Sequence, residues 1–208
     1  MSNVIRVVTK NQMEVAPASS PVNMYVLGLA LVDSSTLKEI PAKFLQTDSA
    51  TSGYVGILPY GGVVFNSHDA GMTDIVTITA HPLGVSGSGS DVSVNVTLSA
   101  LVAASVGSNL SSSSMGTMTV NSAAGTNVGD TKLTISNYTK PADCSYVYKA
   151  ASGTAPSMTF GTKPDETWLA WDGSSDLTIT NGHKVRVVSV NAQHEAVASG
   201  TATVNAKT

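Results

Sequence analysis

Apolar and polar positions alternate along this chain in short runs, with few stretches at helical spacing. The clearest run is "DVSVNVTL", where Val92, Val94, Val96 and Leu98 interleave with Asp91, Ser93, Asn95 and Thr97. A period of two predicts a strand with one buried face. Further strands are predicted in "NVIRVV" (3–8), "VNMYVLGLALV" (22–32), "GGVVF" (61–65) and "DIVTITA" (74–80). Pro41 and Pro59 interrupt "LKEIPAKFLQT" and "GYVGILPYGG", which therefore read as edge strands or loops, since proline cannot donate to a ladder. One short helix is expected, over 34–40 or 97–106.

Beyond Gly125 the pattern becomes more regular. Strand-like runs at 131–136, 144–150, 157–160, 167–171, 176–180, 184–190 and 196–204 are separated by Pro141, Gly153, Pro164, Asp172-Gly173 and Asn181-Gly182. About seven strands in about 80 residues is the spacing of an immunoglobulin-like sandwich, although the Cys…Trp…Cys signature of antibody domains is missing. The expected architecture is all-β: an N-terminal β-domain over 1–124, then an Ig-like β-sandwich over 125–208. No repeat relates the two halves.

Composition narrows the function classes. The chain has 208 residues, a net charge of −3 and only 12% charged residues. Ser and Thr make up about a quarter of it. No basic field exists to attract nucleic acid or anionic lipid. Residues 92–129 carry no charge at all, and the Gly/Ser tracts at 84–91 and 107–116 read as loops. Such tracts stay mobile unless something pins them, which points to packing in an ordered assembly. No Sec signal is visible at the N-terminus, and the apolar run 24–32 is too short to span a bilayer. The single cysteine, Cys144, excludes an internal disulfide and reads as a buried apolar residue in a strand.

Candidate chemistry concentrates in "WLAWDGSSDLTITNGHKVRVVSV" (168–190). Trp168 and Trp171 are three apart, so a strand places them on opposite faces. One is expected in the core and the other at a rim, where it would anchor a protein contact or form a sugar platform. Asp172 and Asp176 leave room for a weak Ca²⁺ site with 164–166, but the EF-hand ligand pattern is absent. A turn in which Asp172 bonds its own backbone explains the same residues. His68, His81, His183 and His194 lack metal-ligand spacing; His68-Asp69 and His194-Glu195 read as exposed loop pairs. No phosphate-binding loop or nucleophile elbow occurs. The N-x-[ST] triplets at Asn95, Asn109 and Asn137 read as chance matches. No catalytic residue, cofactor or metal ligand is assigned, and the chain is expected not to be an enzyme.

The C-terminal segments "GDTKLTISN", "YVYKAASGTAPSMTFG" and "WLAWDGSSDLTITNGHKVRVVSVNAQHEAVASGTATV" resemble an Ig-like β-sandwich module of tailed-bacteriophage virion proteins. The matching features are Tyr146, Tyr148, Trp168, Trp171-Asp172-Gly173, "DLTIT", "KVRVVSV" and the closing "GTATV", over roughly residues 127–208. The resemblance implies a structural virion protein assembled in a host cytoplasm, most simply a capsid decoration protein. Its partners would be the major capsid protein or other virion subunits and further copies of itself, with host-surface glycan possible. The interaction surface would comprise Trp168, Trp171 and the stripe Val92, Val94, Val96 and Leu98, with residues 1–16 and the stripe buried between subunits. The alternatives are a tail-tube or tail-tip subunit, with 84–120 as a lumen hairpin, and a carbohydrate-binding module.

Overall fold

Strand β1 (Asn3–Glu14) runs antiparallel to β2 (Asn23–Asp33), and β2 continues through β6 (Gly62–Asn66) to β5 (Val55–Ile57), with β3 (Glu39–Ile40) also on β2. A second sheet is formed by β4 (Ala42–Gln46), β7 (Ile75–Pro82) and β8 (Val92–Thr97). The computed structural model describes residues 3–14, 23–46, 55–66, 72–84 and 89–208. Both sheets share one core, in which Ile5, Leu27, Val63, Phe65, Ile78 and Leu98 are almost fully buried. Pro41 separates β3 from β4, and β4 and β5 are terminal strands of their sheets, as the prolines predict.

Helix α1 (Leu98–Ala103) follows β8 directly. Thr97 caps it, its hydroxyl accepting from the Ala100 N–H at 3.2 Å. Its last carbonyls are met by Lys10 of β1, whose Nζ donates to Val102 O and, at 2.8 Å, to Ala104 O. A cation there complements the negative end of the helix. The 97–106 expectation is therefore met, whereas residues 34–36 form a turn around Asp33.

The Ser-rich tract after α1 is held by this chain's own strands. Val7 N–H donates to Ser108 O (3.0 Å), Gly107 N–H to Val7 O (2.8 Å) and Leu110 N–H to Ile5 O (2.7 Å). Further on, Ser113 N–H donates to Asn95 O (2.8 Å), and the Ser112 and Ser113 hydroxyls accept from Asn95 and Thr97 N–H. One segment thus covers the edges of β1 and β8. At the opposite side, the Leu58–Gly61 turn joins the sheets through Phe44 N–H to Pro59 O (2.8 Å) and Leu29 N–H to Gly61 O (2.8 Å). Gly61 has φ +95°, and a Cβ there would lie 2.1 Å from Leu29 O, so only glycine fits. Covering edges in this way blocks stray strand pairing.

The second unit begins at Ser114, ahead of the 124/125 boundary expected from the sequence. It gains β9 (Gly116–Thr117) and β10 (Thr119–Ala124), whose low apolar content conceals them. β10 pairs with β11 (Asp130–Ser136), and β11 with β14 (Leu177–Thr178). The facing sheet runs β13 (Leu169–Trp171), β12 (Ser145–Ala151), β15 (Lys184–Val190), β16 (Ala196–Thr203), β9, and only the β9–β16 pair is parallel. In immunoglobulin letters the sheets correspond to A-B-E and C′-C-F-G, so the second unit is an Ig-like sandwich. Gly200 permits the crossing at 118–120, since its Cβ would lie 2.2 Å from Met118 O.

One expected strand is absent. Residues 157–160 form no ladder; instead Arg186 Nε takes the Pro156 carbonyl, and Met158 packs on the apolar cluster around Val188. The segment is a cover laid over a sheet face, which has the same polar–apolar texture as a strand.

Candidate interaction surfaces

The two tryptophans lie in different apolar clusters on the two faces of one sheet, as their spacing predicts. Trp171 is 6% exposed and pairs across the strand with Tyr146, ring centroids 5.8 Å apart. Its indole N–H donates to Ser175 O at 2.9 Å, satisfying the one polar atom of a buried ring. Trp168 is 9% exposed and belongs with Val147, Val188, Val190 and Ala196. Met158 and Met115 pack on that cluster, and Lys149 Nζ stands 5.9 Å from the ring centre. Neither tryptophan is the exposed anchor or sugar platform expected. The cover at 156–162 and the long stem of Lys149 occupy the place a partner would have taken.

The acidic residues of "DGSSD" are engaged locally. Asp172 accepts from Ser174 N–H (2.8 Å), Ser175 N–H (2.7 Å) and the Ser175 hydroxyl, with Gly173 at φ +87° completing the turn. Asp176 turns away to Thr126, accepting from its N–H and hydroxyl, each at 2.6 Å. Asp165 accepts from Thr167, and Asp130 from Asn127 and Thr178. No group of three or more His, Cys, Asp or Glu able to hold a metal occurs among the described residues. The Ser174 and Ser175 contacts and the positive φ of Gly173 give the turn expected at Asp172.

These hydrogen bonds hold carboxyls below the usual carboxylate range. For Asp172 the main cause is the Ser175 hydroxyl; for Asp176, the Thr126 hydroxyl; for Asp165, the Thr167 hydroxyl; for Asp130, the Asn127 side chain. In the first unit, Asp33 is lowered in the same way, chiefly by the Ser35 hydroxyl. A group depressed on folding stabilises fully above its unfolded value, about 3.9, and loses that contribution as pH falls through the folded value. The second unit should thus melt at a constant temperature down to about pH 4 and progressively lower below it. Both tryptophans lie in this unit, so their fluorescence reports its transition alone. Asp172→Asn should flatten the acid limb; an unchanged limb would refute the assignment.

Val92, Val94 and Val96 do form one face of β8, and Leu98 is the first residue of α1, but that apolar face is not free. Val94 is 6% exposed, Val96 1% and Leu98 0%, and Val92 packs half-buried against the same core. Ile5 and Val7 of the N-terminal segment are likewise fully buried within their own unit, while residues 1, 2, 15 and 16 lie outside the described residues. Ile5, Val7, Val94, Val96 and Leu98 are thus buried between this chain's own two sheets, whereas Val8 and Met13 are exposed. The opposite face of β7 and β8 carries polar cross-strand pairs: Thr77–Asn95 (2.8 Å), Thr79–Ser93 (2.8 Å) and His81–Asp91 (2.7 Å). Within 84–120, the described residues form β8, α1, the edge cover and the first strands of the second unit.

Shallow clefts also mark the surface of the described residues. One, of about 240 Å³, lies beside Pro41 and Phe44 and is rimmed by Tyr60, which is 78% exposed. Another, of about 320 Å³, lies beside Tyr148, Leu169 and His183. Neither was singled out from the sequence. "LPYGG" carried the only available signal for Tyr60, an aromatic in a turn. Of the expected loop pairs, His194 is exposed with φ +64°, but Glu195 is buried and accepts from Asn191 Nδ2 at 3.1 Å. His68-Asp69 lies outside the described residues. Cys144 is buried as expected, but it stands one residue ahead of β12, in a turn where its N–H donates to Pro141 O at 3.1 Å.

Neither a protein-family model nor a curated protein matches the sequence. Among solved structures the chain is similar to the S-layer protein SbsC, domains 7, 8 and 9, with a TM-score of 0.39 and 15% identity. The match covers 97% of this chain and 64% of that one, so the chain spans less than two thirds of that structure's length.

Proposed function

We propose that this protein is a structural subunit of a tailed-bacteriophage virion, a capsid decoration protein. The first unit binds the shell, and the Ig-like unit is displayed. The reading rests on the C-terminal resemblance and is supported by one structural observation. The polar groups are largely spent inside the chain, as Asx turns, hydroxyl ladders and serine-covered strand edges, leaving a surface of neutral hydroxyls and few charges. Such a surface suits contacts repeated by symmetry, where each is weak and none depends on long-range charge.

The test is cosedimentation of purified protein with heads and with tails of a phage whose genome encodes it. Saturable binding to heads is expected, and molar salt should weaken it little, because screening acts on charges. Binding confined to tails would transfer the protein to the tail. Absence from both particles would overturn the virion reading.

A further inference from the structure

Three of the chain's 11 Lys and Arg residues stand together on one face of one sheet in the Ig-like unit. The ladders of β12, β15 and β16 set Lys149 directly opposite Arg186, Arg186 opposite Thr201, and Lys184 opposite Thr203. Lys184 and Arg186 are two apart on β15, so they leave the same face about 7 Å apart along the strand. Like charges directly opposite each other on a ladder repel, and a bound anion would relieve that repulsion. The bonds these cations make within the chain go to neutral oxygens. Lys149 Nζ donates to the Thr167 hydroxyl at 2.6 Å, Lys184 Nζ to the Thr203 hydroxyl, and Arg186 to the Pro156 carbonyl and, at 3.0 Å, to the Ser199 hydroxyl. The Asp165 carboxylate accepts from Thr167, on the β13 side of Lys149 and away from β15. An ammonium has three donors and a guanidinium five, so Lys184 and Arg186 keep N–H groups beyond these bonds.

Beside them a cleft of about 440 Å³ opens between residues 153–155 and the β15–β16 pair, lined by Thr154, Lys184, Thr201 and Thr203. Arg186 bonds the Pro156 carbonyl next to the 153–155 wall, which brings its guanidinium to the inner end of the cleft. Among the described residues this lining offers a cation and hydroxyls, and no carboxylate.

We infer that this cleft binds a phosphate group, free or carried on a small ester. The guanidinium fork matches two oxygens of a tetrahedral oxyanion, the ammonium meets a third as a point charge, and the threonine hydroxyls donate to what remains. A carboxylate, with two oxygens in one plane, satisfies fewer of these donors. The volume lies in the range of small-ligand sites and leaves room for an esterified alcohol. A long polyanion is disfavoured, because the chain as a whole carries a net charge of −3. This inference does not rest on the virion reading, since it concerns the isolated chain.

Backbone amide shifts of the full chain, titrated with sodium phosphate against sodium chloride at matched ionic strength, should move saturably at 153–155, 184–186 and 201–203. Glycerol 3-phosphate should saturate the same amides, and acetate should bind severalfold more weakly. Either order of affinity between the two phosphates supports the site and tells the free ion from the ester. Lys184→Gln should weaken phosphate binding about three- to fivefold, the worth of one exposed charge pair, and Lys184→Arg should retain it. Lys132→Gln, at an exposed position of β11 in the facing sheet, should leave binding unchanged. Arg186 is kept intact in these variants because it also holds the 156–162 cover. Shifts that fail to saturate, acetate binding as tight as phosphate, or phosphate binding that Lys184→Gln does not weaken would overturn the inference. None of these outcomes bears on head binding, so the two proposals fail separately.

Discussion

Trp171→Ala is expected to destabilise the second unit by about 3–5 kcal/mol, the range for removing a buried tryptophan. Three losses combine. The ring leaves a cavity between the sheets, Tyr146 loses its partner at 5.8 Å, and Ser175 O loses its donor. The Asp172–Ser175 turn is tied to the indole through that carbonyl, so the turn should loosen as well. Urea denaturation followed by the remaining fluorescence of Trp168 measures the effect. The result also decides the glycan reading through Trp171. A sugar platform would lose binding on this substitution while the fold kept its stability. Unchanged stability would therefore refute the burial-based account.

Leu98→Ala should lower the stability of the first unit by about 2–5 kcal/mol. Leu98 is fully buried where β8 passes into α1, beside a core that includes Val96 and Ile78. Its loss opens a cavity at the point where strand and helix are joined. Far-UV circular dichroism follows the transition, while tryptophan fluorescence, confined to the second unit, distinguishes the two units. If the stripe were instead a contact between subunits, the isolated protein would melt as wild type and only assembly would suffer. That outcome would restore the interface role of Val92, Val94, Val96 and Leu98.

Much of the fold is legible in the sequence because the information is local. The alternation in 91–98, the prolines at 41 and 59, and the paired turns at Asp172-Gly173 and Asn181-Gly182 each reflect backbone geometry within a few residues. β9 and β10 escape notice because Gly116–Ala124 offers little apolar contrast, and their pairing comes from partners distant in the chain, Ser136 for Thr119 and Ala198 for Gly116. The candidate surface was less legible still. The tryptophans separate onto opposite faces as periodicity requires, yet what covers Trp168 is a segment read as a strand.

The sequence by itself determines that this is an all-β chain with an Ig-like second half, that Trp168 and Trp171 oppose each other, and that Asp172 closes a turn. These follow from side chains alternating at each residue and from short polar groups bonding their own backbone. Only the tertiary structure decides what lies against each buried face. Alternation specifies that one side of a strand must leave water, and hydrophobic burial is non-directional, so this chain's own second sheet and a neighbouring subunit satisfy it equally. For Val92–Leu98 the surface is the chain's own sheets, and for the Ser-rich tract it is the edges of β1 and β8.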